Sequence, residues 1–152
     1  LETDMEILIP DSYVSNSNER LILYKDINAL KNDKDILQFQ SRMKDRFGEI
    51  PPETAELFHS LRLRWLAREL GFEKVMLKQQ RLICYFVKDE QSAYYDSPQF
   101  QHILNYMQQH PVNCRMKEEP GRLSLTFGGI CDVDSAISVL LPLKHHPEKE
   151  ND

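Results

Sequence analysis

Asp45, Arg46 and Phe47 stand immediately before Gly48, in a run from Met43 to Pro52 that closes one helix, turns on the glycine and opens another. Two opposite charges and an aromatic ring at such a joint supply the chemistry of docking: ion pairs, charge-assisted hydrogen bonds and a large apolar anchor. Adjacent helical residues point roughly 100° apart, so Asp45 and Arg46 do not satisfy each other and each takes a partner elsewhere. That partner is either a neighbouring helix, stitched to the joint by the charge, or another domain or protein. Phe47 continues an apolar stripe and serves as core or as anchor. Arg42, one turn earlier, extends the charged surface.

Other chemistries find little support. The glycines followed by Lys and Ser or Thr that would cradle a nucleotide's phosphates do not occur, nor does a G-x-S-x-G nucleophile turn. The five histidines form no i, i+4 pair with one another and no metal-spaced cluster with cysteine. His145-His146 falls in a charged terminal stretch that offers no fixed ligand geometry. Gly128-Gly129 precedes a helix start, but Asp132 and Asp134 compete for the amides there and repel an anion. The three cysteines, Cys84, Cys114 and Cys131, are odd in number and lack C-x-x-C spacing. They suggest neither disulfides nor zinc, and Cys84 reads as core filler. No enzyme activity, metal or cofactor is expected of this stretch.

Several elements must position the joint. Met5, Ile7 and Ile9 alternate with Glu6 and Leu8, which predicts a short strand ended by Pro10. Asn18 is placed to cap a helix running to about Lys31 that buries Leu21, Ile22, Tyr24, Ile27 and Leu30. A second helix opens at Asp33, with Ile36, Leu37, Phe39, Gln40 and Met43 on one side and Phe47 a turn beyond. A third runs from about Pro52 to Leu70, turning Leu57, Phe58, Leu61, Trp65 and Leu66 inward. Its Arg62, Arg64 and Arg68 lie on other faces, either as a patch for an acidic partner or, with Glu56 and Glu69 within a turn or so, as an ordinary solvated surface, the reading the spacing favours.

After Gly71 the period becomes extended. Phe72 to Leu77 and Leu82 to Val87 form a hairpin around Lys78-Gln79-Gln80-Arg81. Ser97 and Pro98 open a helix to Gln109, with Phe100, Ile103, Leu104 and Met107 on its core side and His110-Pro111 at its end. Cys114 to Lys117 and Leu123 to Phe127 make a second hairpin, and Asp132 caps a last helix from Val133 to Leu141. The fold class is α+β: a helical amino-terminal half, then two β-hairpins with interspersed helices, giving one antiparallel or mixed sheet covered by helices. Residues 1–143 are expected to form a single domain, and 144–152 a charged tail without fixed structure.

Composition agrees with an ordinary globular chain: 152 residues, 41% hydrophobic and 28% charged. A formal charge of −5 opposes broad phosphate binding, so no direct nucleic-acid contact is expected. The sequence shows neither a bilayer-length apolar run nor a secretion signal, which implies a cytoplasmic location and no membrane partner.

The order and spacing of several short runs resemble one family. They are Ile7 to Val14, Glu19-Arg20-Leu21 leading to Leu23-Tyr24-Lys25, Asp45-Arg46-Phe47-Gly48 with Pro51, and Arg64, Ala67, Leu70 and Gly71. Together they resemble the C-terminal domain of bacterial transcription-repair coupling factors, translocases that remove stalled RNA polymerase and recruit excision repair. The match is looser from Phe72 onward. The resemblance implies a non-catalytic regulatory domain, with ATP bound elsewhere in the parent. It would pack on the amino-terminal domain of the same protein, which resembles a subunit of the excision nuclease. That contact would mask the surface for which the damage-sensing ATPase of repair competes, and would restrain the motor. The contact residues implied are Asp45, Arg46, Phe47 and Arg64, with Arg42, whose charge the family does not fix, extending the surface by its place one turn earlier, and the isolated domain would self-associate through its uncovered face. The competing expectation is a structural cap without a regulated contact. Polymerase binding falls, in the family, to a separate domain upstream.

Overall fold

The first regular element is not the strand expected over Met5 to Ile9 but β1 (Glu2–Thr3). The apolar alternation at Ile7 and Ile9 serves another purpose, because the backbone there bonds to helices. Leu8 N–H donates to the Glu53 carbonyl at 3.3 Å, and Ile9 N–H to the Tyr24 hydroxyl at 2.6 Å. The Thr54 hydroxyl donates to the Leu8 carbonyl at 2.9 Å. With its polar groups so satisfied, the segment needs no ladder. The structure, a computed structural model, describes residues 1–110 and 114–147. Two compact units make it up: Glu6–Arg62, and Leu1–Met5 with the chain from Leu63 onward.

In the helical unit, α1 (Ser17–Asn28) is capped by Asn16, whose side chain accepts from Glu19 N–H at 3.0 Å. Asn18, the expected cap, already lies inside the helix, and the helix ends short of Lys31. Its buried residues are Leu23 and Ile27, an i, i+4 stripe, whereas Leu21 and Ile22 stay 64% and 58% exposed. Helix α2 (Asp33–Phe47) opens where predicted, with Asn32 accepting from Asp35 N–H at 2.8 Å. Ile36, Phe39 and Met43 are buried at i, i+3 and i+7, but Leu37, one position off that stripe, is 62% exposed. Helix α3 (Pro52–Leu70) starts on its prolines as expected and contributes Phe58 and Leu61 to this unit's core. The Phe39 and Phe58 rings lie 6.1 Å apart.

In the sheet unit, α3 continues with Leu63, Leu66, Ala67 and Leu70 buried, while Trp65 is only half-buried. Strands β2 (Phe72–Lys78) and β3 (Arg81–Phe86) form the first hairpin. Gln79 and Gln80 take φ of 53° and 58°, the left-handed pair that matches the strands' twist in a two-residue turn. A 3₁₀ turn (Ala93–Asp96) leads to α4 (Pro98–Gln109), capped by Ser97 and ending at His110 as predicted. Pro111 lies outside the described residues. Strands β4 (Cys114–Glu119) and β5 (Arg122–Gly128) form the second hairpin, and Asp132 caps α5 (Val133–Leu140). Leu141, expected in that helix, begins a 3₁₀ turn instead.

The sheet runs β1-β2-β3-β5-β4, antiparallel except for β1 against β2, so it is mixed. Inward residues of its strands, Leu82, Cys84, Phe86 and Leu125, are fully buried, as are Ile103 of α4 and Val133, Ala136 and Leu140 of α5. The α+β class thus holds, with helices on one face of a single sheet. Within the stretch 144–152, Lys144 pairs with Glu69 at 2.7 Å and His145 N–H donates to Gln99 at 2.8 Å. Residues 148–152 lie outside the described ones.

Candidate docking site at the helix joint

Gly48 adopts φ +91°, and its N–H donates to the Lys44 carbonyl at 2.9 Å, closing α2. The turn is then held from outside. The Tyr13 hydroxyl donates to the Gly48 carbonyl at 2.8 Å, with a longer contact to the Met43 carbonyl at 3.4 Å. Tyr13 also meets the Phe47 ring, centroids 5.8 Å apart. Burial, and then the negative charge of Glu49, push the Tyr13 phenol above its ordinary pKa, so it stays a donor at neutral pH. One tyrosine thereby fixes the last turn of α2 and the residues that it presents.

On that platform Arg46 pairs with Glu19 of α1 and lays its guanidinium over Phe47 at 4.9 Å from the ring centroid. The Arg46 side chain nevertheless remains 67% exposed. Phe47 is half-buried, caught between Tyr13 and Arg46. Asp45 is exposed, with no ion pair or side-chain hydrogen bond among the described residues. Arg42 lies one turn back, its guanidinium 5.7 Å from the Phe39 centroid. Lys44 and Glu49 close the rim in an exposed pair at 3.1 Å.

Arg42, Asp45, Arg46 and Phe47 are therefore gathered on the end of α2. Arg64 belongs to the other unit. It is half-buried beside a groove of about 550 Å³ lined also by Arg68, Lys74 and Arg122. Burial first, and the charge of Arg68 second, lower its pKa, though an arginine stays cationic at neutral pH. Tyr13 and Glu19 were not among the predicted site residues. Both lie in the runs that carry the family resemblance, but no periodicity signals that they reach the end of α2.

Among the described residues no group of histidine, cysteine or carboxylate side chains is placed to hold a metal, and no helix is long and apolar enough to cross a membrane. The fold is that of an α+β domain whose α2 ends in a joint carrying Arg42, Asp45, Arg46 and Phe47. A model of the TRCF domain family matches residues 3–97, more than half of the chain, and the chain belongs to that family. It is 28% identical over 115 residues to the transcription-repair-coupling factor of Rickettsia bellii, a stretch that covers 76% of this chain and 10% of that protein. The same factor of Escherichia coli is 33% identical over 75 residues, covering 49% of this chain and 6% of that protein. The chain thus spans about a tenth or less of the length of these relatives. A crystal structure of the C-terminal domain of transcription-repair coupling factor has the same fold, with a TM-score of 0.72 over 94% of this chain and 92% of that one at 20% identity.

Proposed function

We propose that this chain is the C-terminal regulatory domain of a transcription-coupled repair translocase, itself non-catalytic, with ATP bound elsewhere in the parent. It docks through the joint at the end of α2 on the parent's amino-terminal domain, the one resembling an excision-nuclease subunit. Docking masks the surface that the damage-sensing ATPase would otherwise occupy and restrains the motor. The observation that carries this reading is the joint itself: Asp45 and Arg46 are offered to solvent from a turn whose backbone Tyr13 pins. A pinned turn loses little further freedom on binding, which favours a specific contact made of few residues. The contact must also open, so its free energy is a few kcal/mol, within reach of the engagement of polymerase and DNA.

One observation favours a purely structural module instead: Arg46 already has a local partner in Glu19. Calorimetric titration of this chain into the amino-terminal domain separates the two. Docking predicts saturable heat that the Asp45→Ala/Arg46→Ala variant weakens at least tenfold. Equal affinity for both proteins, or no heat at high concentration, rejects docking at these residues.

A further inference from the structure

The outward face of the sheet has a character opposite to that of the whole chain. Alternation along the strands turns Val75, Leu77, Leu82, Cys84, Phe86, Leu125 and Phe127 toward the helices, where all are buried. The cross-strand register then assembles the other face. Lys74 stands beside Tyr85, Tyr85 beside Ser124, and Ser124 beside Lys117. One step along, Met76, Ile83, Thr126 and Arg115 make the adjoining row. Two contacts agree with this placement: Lys74 and Arg122 approach the Tyr85 ring at 5.8 and 5.3 Å. Met76, Ile83, Tyr85 and Thr126 remain partly open to solvent on this side.

Around that apolar centre stand six cations, Lys74, Lys78, Arg81, Arg115, Lys117 and Arg122, against three carboxylates from the strands, Glu2, Glu119 and, at the β2 bulge, Glu73. Glu2 pairs with Lys74 and Lys78, and Glu73 at the bulge pairs with Arg122. Arg81, Arg115 and Lys117 have no ion-pair partner among the described residues. The chain carries a formal charge of −5, but a Debye length of about 8 Å at physiological salt confines each patch to its own surroundings. The acidic total therefore does not cancel this basic face.

We propose that this face binds single-stranded nucleic acid. An open, mostly antiparallel sheet whose other side is covered by helices offers a platform on which unpaired bases lie, with cations at its margin for the phosphates. The partly exposed Met76, Ile83 and Tyr85 have nothing to gain from the phosphates of a duplex, whereas unstacked bases can cover them. An acidic protein surface is the competing partner, and it has no need of bases.

The test is fluorescence anisotropy of the 152-residue chain with a labelled 15-nucleotide oligothymidylate. Neutralising three phosphates gives a logarithmic salt slope of about −2, hence affinity about 20-fold weaker at 200 mM than at 50 mM salt. The Arg81→Ala/Arg115→Ala/Lys117→Ala variant, altered only at exposed positions, should bind at least tenfold more weakly with an unchanged circular dichroism spectrum. An abasic strand of equal length should bind at least fivefold more weakly. No saturable binding at 50 mM salt overturns the proposal, as does wild-type affinity in the triple variant. Equal affinity for the abasic strand, or equal competition by polyglutamate of matched charge, also overturns it and assigns the face to an acidic protein.

Discussion

Gly71→Ala is expected to be among the most disruptive single-atom additions to this chain. Gly71 ends α3 at φ +95°, in the left-handed region, where a side chain costs about 1–2 kcal/mol. The added Cβ would also lie 2.0 Å from Cε1 and 2.3 Å from Cζ of Tyr94, so the ring must leave its place. That ring is not free to move. Its hydroxyl donates to the Leu70 carbonyl at 2.5 Å, and it packs against Tyr95 and Phe100 at 5.5 Å and Phe86 at 6.1 Å. Losing the hydrogen bond costs about 1 kcal/mol, and forcing the aromatic cluster to repack costs about 1–3 kcal/mol. Together these come to about 3–6 kcal/mol, a large fraction of the 5–15 kcal/mol typical of a domain.

Urea unfolding followed by tryptophan fluorescence and by circular dichroism measures the loss, with Tyr94→Ala and the Gly71→Ala/Tyr94→Ala double variant completing a cycle. If the collision is the cause, removing the ring first leaves only the backbone penalty, and Gly71→Ala then costs about 1–2 kcal/mol. A Gly71→Ala loss below 1 kcal/mol, or one that is the same with and without the Tyr94 ring, refutes the reasoning.

Stability should also fall as the solution becomes alkaline. Burial holds the Cys84 thiol and the Tyr94 phenol well above their ordinary values and pushes Cys114 up to about 12. A raised folded-state pKa gives stability that is intact below the unfolded value and lost above it, so the decline begins near pH 9 for the thiols and near pH 10 for Tyr94. Unfolding midpoints at pH 7, 9, 10 and 11 check it, and Tyr94→Phe should flatten the last step. Asp45→Ala and Arg46→Ala should leave stability within about 1 kcal/mol of the parent, because the Arg46–Glu19 pair is largely exposed on its arginine side. A larger loss in denaturant titration would mark the pair as a structural stitch. The isolated chain should self-associate through its exposed joint. Sedimentation giving a concentration-independent monomer mass would reject that.

The helices α2, α3 and α4, both hairpins and the caps at Ser97 and Asp132 were legible in the sequence because each depends on residues within a few positions of one another. A glycine in a left-handed turn, a proline in a first helical turn and a serine three residues before the amide it accepts from are local devices. What misled was also local evidence, read without its partner. The alternation of Ile7 and Ile9 resembles a strand until Tyr24, Glu53 and Thr54 supply the hydrogen bonds that a neighbouring strand would have given. Leu21, Ile22 and Leu37 are apolar and helical, yet which stripe of an amphipathic helix is covered depends on what packs against it.

The candidate site divides in the same way. The sequence by itself determined the joint, its glycine turn and the charged pair beside it, since these are neighbours along one chain. Only the tertiary structure decided that Tyr13 pins the turn, that Glu19 answers Arg46, that Arg64 belongs to a different unit, and that an acidic chain carries a basic sheet face. Each of these joins residues distant in sequence, and the free energy that brings them together comes from burying apolar surface elsewhere, which no local pattern records.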